Sequence, residues 1–349
     1  MIFEHEPFKN MTLDYKHCFL CGIELTKENK TDEHVIPTWL QHRHDLWNQR
    51  LTLLNGTSIP YRQLKIPCCQ ECNNVALGNI EKEIEKASIS YQELTKLDKW
   101  TIFIWLVKLY YGLLFKNLSL VVDFKDPAKG TIVSPEQLSK FKMLHEFLQS
   151  TRISTKFSSE VFSLFTFKLH LHADNDRKYD FFFTDDHMRS QLAIQIGEIG
   201  IICCIGEDGI IAESLNDYIT PFKEHRLHSI QFSELIAKIF YQRALLQVAP
   251  SYILINSKNN SHILSNMNSF AGEYFRETNF KEFGYVLARQ LRRFNIGIEK
   301  LYYPDADAVS SFLMKDDGNL HLLDNTGVPI PDIKIKHPKY KGQLFPARK

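Results

Sequence analysis

The chain has 349 residues, 44% of them hydrophobic and 24% charged, a balance that suits a folded globular protein and excludes wholesale disorder. At roughly 100–200 residues per domain, that length predicts two domains. A net charge of +1 excludes a uniformly basic nucleic-acid-binding surface, so any phosphate-binding patch has to be local.

The stretch Met1 to Asn10 has neither a basic n-region nor an apolar h-region, so no signal peptide is expected and a cytoplasmic location is. Five of the seven cysteines precede Lys86. In that compartment thiols stay reduced, and paired CxxC spacings point to metal rather than to disulfides. Leu51–Leu54, the turn Asn55-Gly56-Thr57-Ser58, and Ile59–Ile66 read as strand, turn, strand, with Pro60 weakening the second strand. Asn73 to Lys86 reads as a helix, with Val75, Ile80 and Ile84 apolar among Glu and Lys.

Trp100 to Phe115 is the greasiest segment. It is apolar on every face, is shorter than a membrane span needs, and carries Lys108, so a buried helix is expected and no membrane partner. Ser134-Pro135-Glu136 is a helix start for a segment running to Ser150. Val161–Leu171, Lys178–Thr184 and Leu192–Ile205 read as strands, and Gly206-Glu207-Asp208-Gly209 as a turn. Phe232–Val248 and Lys281–Phe294 read as helices. Val309–Met314 and Leu320–Leu323 read as a hairpin around Asp316-Asp317-Gly318-Asn319. The expected class is α+β, with a small module at residues 1–90 and a larger mixed region at residues 91–349 for binding, sensing or oligomerisation.

Cys18-Phe-Leu-Cys21 and Cys69-Gln-Glu-Cys72 are two CxxC knuckles. Four thiolates from two knuckles make a closed tetrahedral zinc site. Cys68 rivals Cys69, but only Cys69 leaves two residues before Cys72. The long stretch between the knuckles has to be looped out as a substructure. Cys203 and Cys204 sit in the apolar run Ile201–Ile205 and read as core.

Between the knuckles lies Asp32-Glu33-His34-Val35-Ile36-Pro37-Thr38-Trp39-Leu40, and Asn73-Asn74 follows the second knuckle. The linked order CxxC, Glu-His-Val-Ile-Pro, CxxC-Asn resembles the HNH endonucleases, the zinc-containing members of the ββα-metal (His-Me finger) nucleases. The resemblance runs from Cys18 to Glu81. It implies a ββα-metal module around a structural Zn²⁺ held by Cys18, Cys21, Cys69 and Cys72. His34 would be the general base at the end of the first strand. Glu33 and Asn73 would be catalytic and would hold a divalent ion, Mg²⁺ or Mn²⁺, whose hard-oxygen preference suits them. Pro37 would turn the chain away from the site.

A helix cap is the bland reading of Asn73. The sequence departs from the family at the middle Asn, which orients the catalytic His. Gln63 or a backbone carbonyl is the candidate for that role here, with Asn55 a weaker one because it fits the hairpin turn. Asn74 and Glu81 are extra ligand candidates, against a cap and a solvated helix face. His42 and His44 fit a solvated loop with a phosphate contact.

The expected activity is hydrolysis of DNA phosphodiester bonds. An RNA-directed nuclease and a non-catalytic zinc-binding recognition module are the alternatives. By analogy with HNH modules fused to larger domains, an effector role in bacterial anti-phage defence or restriction is expected, in a homo-oligomer or with a partner protein. The tail, with Lys334, Lys336, Lys339, Lys341, Arg348 and Lys349 around Tyr340 and Phe345, reads either as a grip on a phosphate backbone or as a solvated terminus. Arg289, Arg292 and Arg293 read as an exposed polar face, with nucleic acid as the second reading.

Overall fold

The computed structural model describes residues 11–172, 178–256, 260–267 and 272–330. The tail from Lys334 onward lies outside the described residues. The described chain is mixed α and β and divides into two compact units. Residues 1–159 with 252–266 form the first, and residues 160–251 with 267–349 the second.

In the first unit, β1 (Lys30–His34) is followed by α1 (Thr38–Arg43), β2 (Arg50–Thr52), β3 (Ser58–Pro60) and β4 (Lys65–Cys69). The expected hairpin forms only as the short β2–β3 pair. Pro60 ends it, Tyr61–Gln63 take a 3-10 turn, and the rest of the expected second strand becomes β4. β4 pairs instead with β1, antiparallel, from Lys30↔Cys69 to His34↔Lys65.

A widened π turn, Cys72–Leu77, then leads into α2 (Gly78–Ala87). Next come α3 (Tyr91–Leu94), α4 (Lys99–Lys116), α5 (Pro135–Ser139), α6 (Lys142–Gln149) and β5 (Ser154–Phe157). The segment expected as one helix to Ser150 is thus two, broken at Lys140-Phe141. Ser134 caps the first through a capping box with Gln137.

The compact unit extends to Ser159 rather than ending at residue 90, and α4 supplies the reason. Trp105, Leu106, Leu109, Tyr110 and Phe115 are all fully buried. Phe19 of the first knuckle packs on Tyr111 and Phe115, with ring centroids 6.4 and 5.9 Å apart. A Cβ at Gly112 would meet Val35 Cγ1 at 3.1 Å and Ile66 Cδ1 at 3.5 Å, so the helix backbone lies directly against the β1–β4 end. Residues 99–119 have the length and hydropathy to cross a bilayer, yet most of that stretch is enclosed by protein, which is compatible with a soluble chain. From α6, His145 Nε2 and Gln149 Nε2 bond Leu20 O at 2.9 and 2.6 Å. Without α4 and α6 the small module would leave these apolar and polar surfaces bare.

The second unit is built on a five-stranded sheet. Its strands are β6 (Phe162–Leu169), β7 (Phe181–Asp186), β8 (Gln191–Ile196), β9 (Ile199–Ile205) and β10 (Arg226–Leu227). Their order is β10-β6-β9-β8-β7, antiparallel except for β10 beside β6. The run expected as one strand, Leu192–Ile205, is two strands joined at Gly197, whose φ of +55° suits glycine. Helices α7 (Ile210–Lys223), α8 (Ser229–Leu245) and α9 (Phe280–Leu291) cover the core. Cys203 and Cys204 are fully buried, as core residues should be.

The expected hairpin around Asp316-Asp317-Gly318-Asn319 is reduced to an isolated antiparallel bridge, Met314↔Leu320, while Val309 pairs with Tyr302. Arg293 is not on an exposed face. Its Nη2 donates to Gln195 Oε1, Ser229 O and Ser233 Oγ at 3.0–3.1 Å, and the guanidinium lies over Phe182 and Phe294.

Candidate metal centre and the His34 site

The two knuckles come together because β1 and β4 do. Phe19 N–H donates to Pro67 O at 3.0 Å, which ties the first knuckle to β4, and Gly22 closes it with a φ of +73°. Cys18, Cys21, Cys69 and Cys72 place their sulfurs within 4.8 Å of one another, close enough to bind a metal such as zinc. The Cys21 and Cys69 sulfurs are 3.7 Å apart. Tetrahedral zinc with Zn–S bonds of about 2.3 Å requires sulfurs about 3.8 Å apart, so the set fits the ion. The Cys72 N–H points at Cys69 Sγ from 3.5 Å, the turn geometry that supports a thiolate. Cys68 lies beside the set, 3.9 Å from Cys18 Sγ, and the contact with that sulfur, then burial, drives its thiol pKa upward. It fits a neutral neighbour of the cluster rather than a fifth ligand.

His34 is the last residue of β1, across the ladder from Lys65. Directly opposed residues of an antiparallel pair share a face, so imidazole and ammonium project together. His34 Nδ1 is 3.3 Å from Thr38 Oγ1 at the start of α1. Its Nε2 is buried and has no hydrogen-bond partner among the described residues. Trp47 lies beside the ring at 5.9 Å and stacks on His42 at 4.7 Å. Burial, then Lys65, then Lys108 hold the His34 pKa below its ordinary value. The ring is therefore neutral near pH 7. Nδ1 is engaged by the Thr38 hydroxyl, and Nε2 is the ring nitrogen without a partner among the described residues.

The side chain that meets His34 Nδ1 is Thr38, not Gln63. Gln63 is exposed, and Asn55 is spent on Thr57 N–H and Val121 O.

Glu33 points away from that face and is only 3% exposed. Its Oε1 forms a short ion pair with Lys108 Nζ, reached from α4. The same ammonium donates to Glu81 Oε1 at 2.7 Å, His34 O at 2.7 Å and Val35 O at 3.3 Å. Burial raises the Glu33 pKa, and repulsion from Glu81 adds to it against the pull of Lys108. Burial also opposes the Lys108 charge, but two carboxylates outweigh it and hold that pKa above the ordinary value. Burial and the second carboxylate account for the rise at Glu33, and the two carboxylates together for the rise at Lys108. Glu81 is a partner in this ion group rather than a solvated helix face.

Asn73 does not cap the helix, because Glu71 precedes the π turn without a side-chain cap. The Asn73 amide crosses to β1, donating to Thr31 Oγ1 at 3.0 Å and Asp32 O at 3.4 Å. Asn74 is exposed. Glu33, paired with Lys108, therefore does not fit as a ligand of a divalent ion. The carboxylate is neutralised by a lysine, and the amide nitrogen braces the strand.

Thr38, Trp47, Lys65 and Lys108 are the site residues that sequence reading missed. Lys108 carried a signal, as the lone cation inside an apolar helix. Compared with protein-family models, curated proteins and solved structures, the chain matches none.

Proposed function

We propose that the first unit carries a zinc-stapled HNH-type endonuclease module that hydrolyses DNA phosphodiester bonds, with His34 as general base. One observation carries the reading. His34 sits at the end of a strand braced by the cysteine cluster, with Nδ1 on a hydroxyl and Nε2 buried and unpartnered. A neutral imidazole with a free nitrogen takes the proton of an attacking water near physiological pH. The water oxygen bonds to phosphorus, its proton passes to Nε2, and the bond to the leaving sugar oxygen breaks. That oxygen takes its proton from solvent. Lys65, sharing the His34 face, attracts the non-bridging phosphate oxygens.

Zn²⁺ in the four-cysteine set is structural in this reading, since four thiolates close the coordination shell. No step is routed through Mg²⁺ or Mn²⁺, because the Glu33 carboxylate is already paired with Lys108. The order of knuckles, Glu-His-Val-Ile-Pro and Asn73 supports the family reading. A cytoplasmic effector of anti-phage defence, with the second unit binding or sensing, is its natural setting. The test incubates the zinc-loaded protein with supercoiled plasmid, single-stranded DNA and total RNA. DNA cleavage with RNA spared is the expected result. RNA cleavage with DNA spared would replace DNA by RNA as substrate, and an inert protein would favour the recognition module.

A further inference from the structure

We propose that the Lys108 ammonium is the resident cation of this site, and that Glu33 is a positioning residue rather than a ligand of a divalent ion. The inference rests on the His34 reading for its functional meaning, but its geometry stands alone. Four oxygens surround Lys108 Nζ: Glu33 Oε1, Glu81 Oε1, His34 O and Val35 O. An ammonium has three protons to give, and every one has an acceptor here. The side chains of Lys108 and Glu33 are 2% and 4% exposed.

A divalent ion reaching Glu33 would meet a fixed positive charge on the same oxygen. To bind, it would have to drive that ammonium out of the cage, leaving a buried lysine without its counter-charges. The position of the cage matters as much as its charge. His34↔Lys65 is the last pair of the β1–β4 ladder, so the carbonyls of His34 and Val35 lie where the ladder runs out. Lys108 satisfies both, from a helix whose Gly112 lets it approach Val35 closely. The backbone that carries the imidazole is thereby fixed from behind, while the ring works on the opposite side. Glu33 and Glu81 hold the lysine in place.

The experiment has two arms, each on the full zinc-loaded chain. In the first, Mn²⁺ is titrated and its free fraction read by electron paramagnetic resonance, for wild type, Glu33→Gln and the double variant Glu33→Met/Lys108→Met. The double variant removes both charges together, so the comparison survives if the single variant misfolds; zinc content reports the fold. Mn²⁺ affinity should agree within about twofold across all three. A loss of about tenfold or more in either folded variant would overturn the proposal. In the second arm, cleavage by Glu33→Gln is measured against Mn²⁺ concentration. A fall in kcat with KM unchanged, and no recovery at high Mn²⁺, is expected of a positioning residue; recovery would mark a ligand and overturn it. An inactive wild type would remove the nuclease reading, and the first arm would still decide the role of Glu33.

Discussion

At the residue scale the site is a division of labour along one strand. His34 shares one face of the strand with Lys65, and Glu33 takes the other, toward Lys108. Alternation along β1 produces this split, since neighbouring side chains point to opposite faces. The four-cysteine cluster was legible in the sequence because its ligands are written in local CxxC spacing. Lys65 was not, because only the β1–β4 register sets it opposite His34. Thr38 follows His34 closely, but its role depends on the turn at Pro37. Lys108 reaches His34 across 74 positions, which no local pattern encodes.

The charge of Lys65 makes a pH prediction. His34 acts as a base only when neutral, so the rate should rise with pH as its proton leaves. Because its pKa is held down by burial, Lys65 and Lys108, the acid limb should have its midpoint below about 6.5, the ordinary histidine value. Lys65→Met removes one of those cations. The His34 pKa rises, the limb moves to higher pH, and KM increases through the lost phosphate contact. A pH–rate profile of the two proteins checks this; an unmoved or downward-moving limb would remove Lys65 from the site.

At the element scale, the pairing of β1 with β4 and the approach of α4 decide whether the site exists. The Asn55-Gly56 turn was readable, but the partner of the following strand was not. Pro60 and the Tyr61–Gln63 turn divert the chain so that β4 joins β1 instead of extending the hairpin. The helix Ile210–Lys223 was also passed over. Ile211, Leu215, Tyr218, Ile219 and Phe222 follow helical spacing and are buried, but Pro221 near the end breaks the usual pattern. The burial of α4 was legible from its all-round apolarity.

What α4 packs against was not legible, and Gly112 tests it. A valine there would push into Val35 and Ile66, which meet a bare Cβ at 3.1 and 3.5 Å. Gly112→Val should cost about 1–3 kcal/mol by overpacking. Chemical denaturation should show the loss, and a variant of wild-type stability would mean that the helix does not press on the strand end.

At the scale of the whole molecule, the resemblance covers far less than the folded unit that holds it. The knuckles, β1, β4 and α2 lie before residue 90, but α4 and α6 complete their core, and the unit runs to Ser159 with residues 252–266 added. That inserted return, strand Asn260–Asn266 beside β5 with Ser251–Asn256 on its other side, has no local signature of belonging there. The second unit carries a sheet and helices whose apolar runs were visible. Its half-buried Arg293 was mistaken for open surface because helical position alone does not tell which face meets a core.

The central claim is that His34, braced by the zinc cluster, performs the cleavage. The most direct measurement is nicking of supercoiled plasmid by wild type, His34→Ala and Cys69→Ser, with bound zinc determined on each protein. His34→Ala should keep its zinc and fold and lose about 10²–10⁴-fold in rate, the usual contribution of a general base. Cys69→Ser should lose zinc, fold and nicking together, because binding free energy at such a site is folding free energy. A zinc-replete His34→Ala that nicks at the wild-type rate would contradict the account.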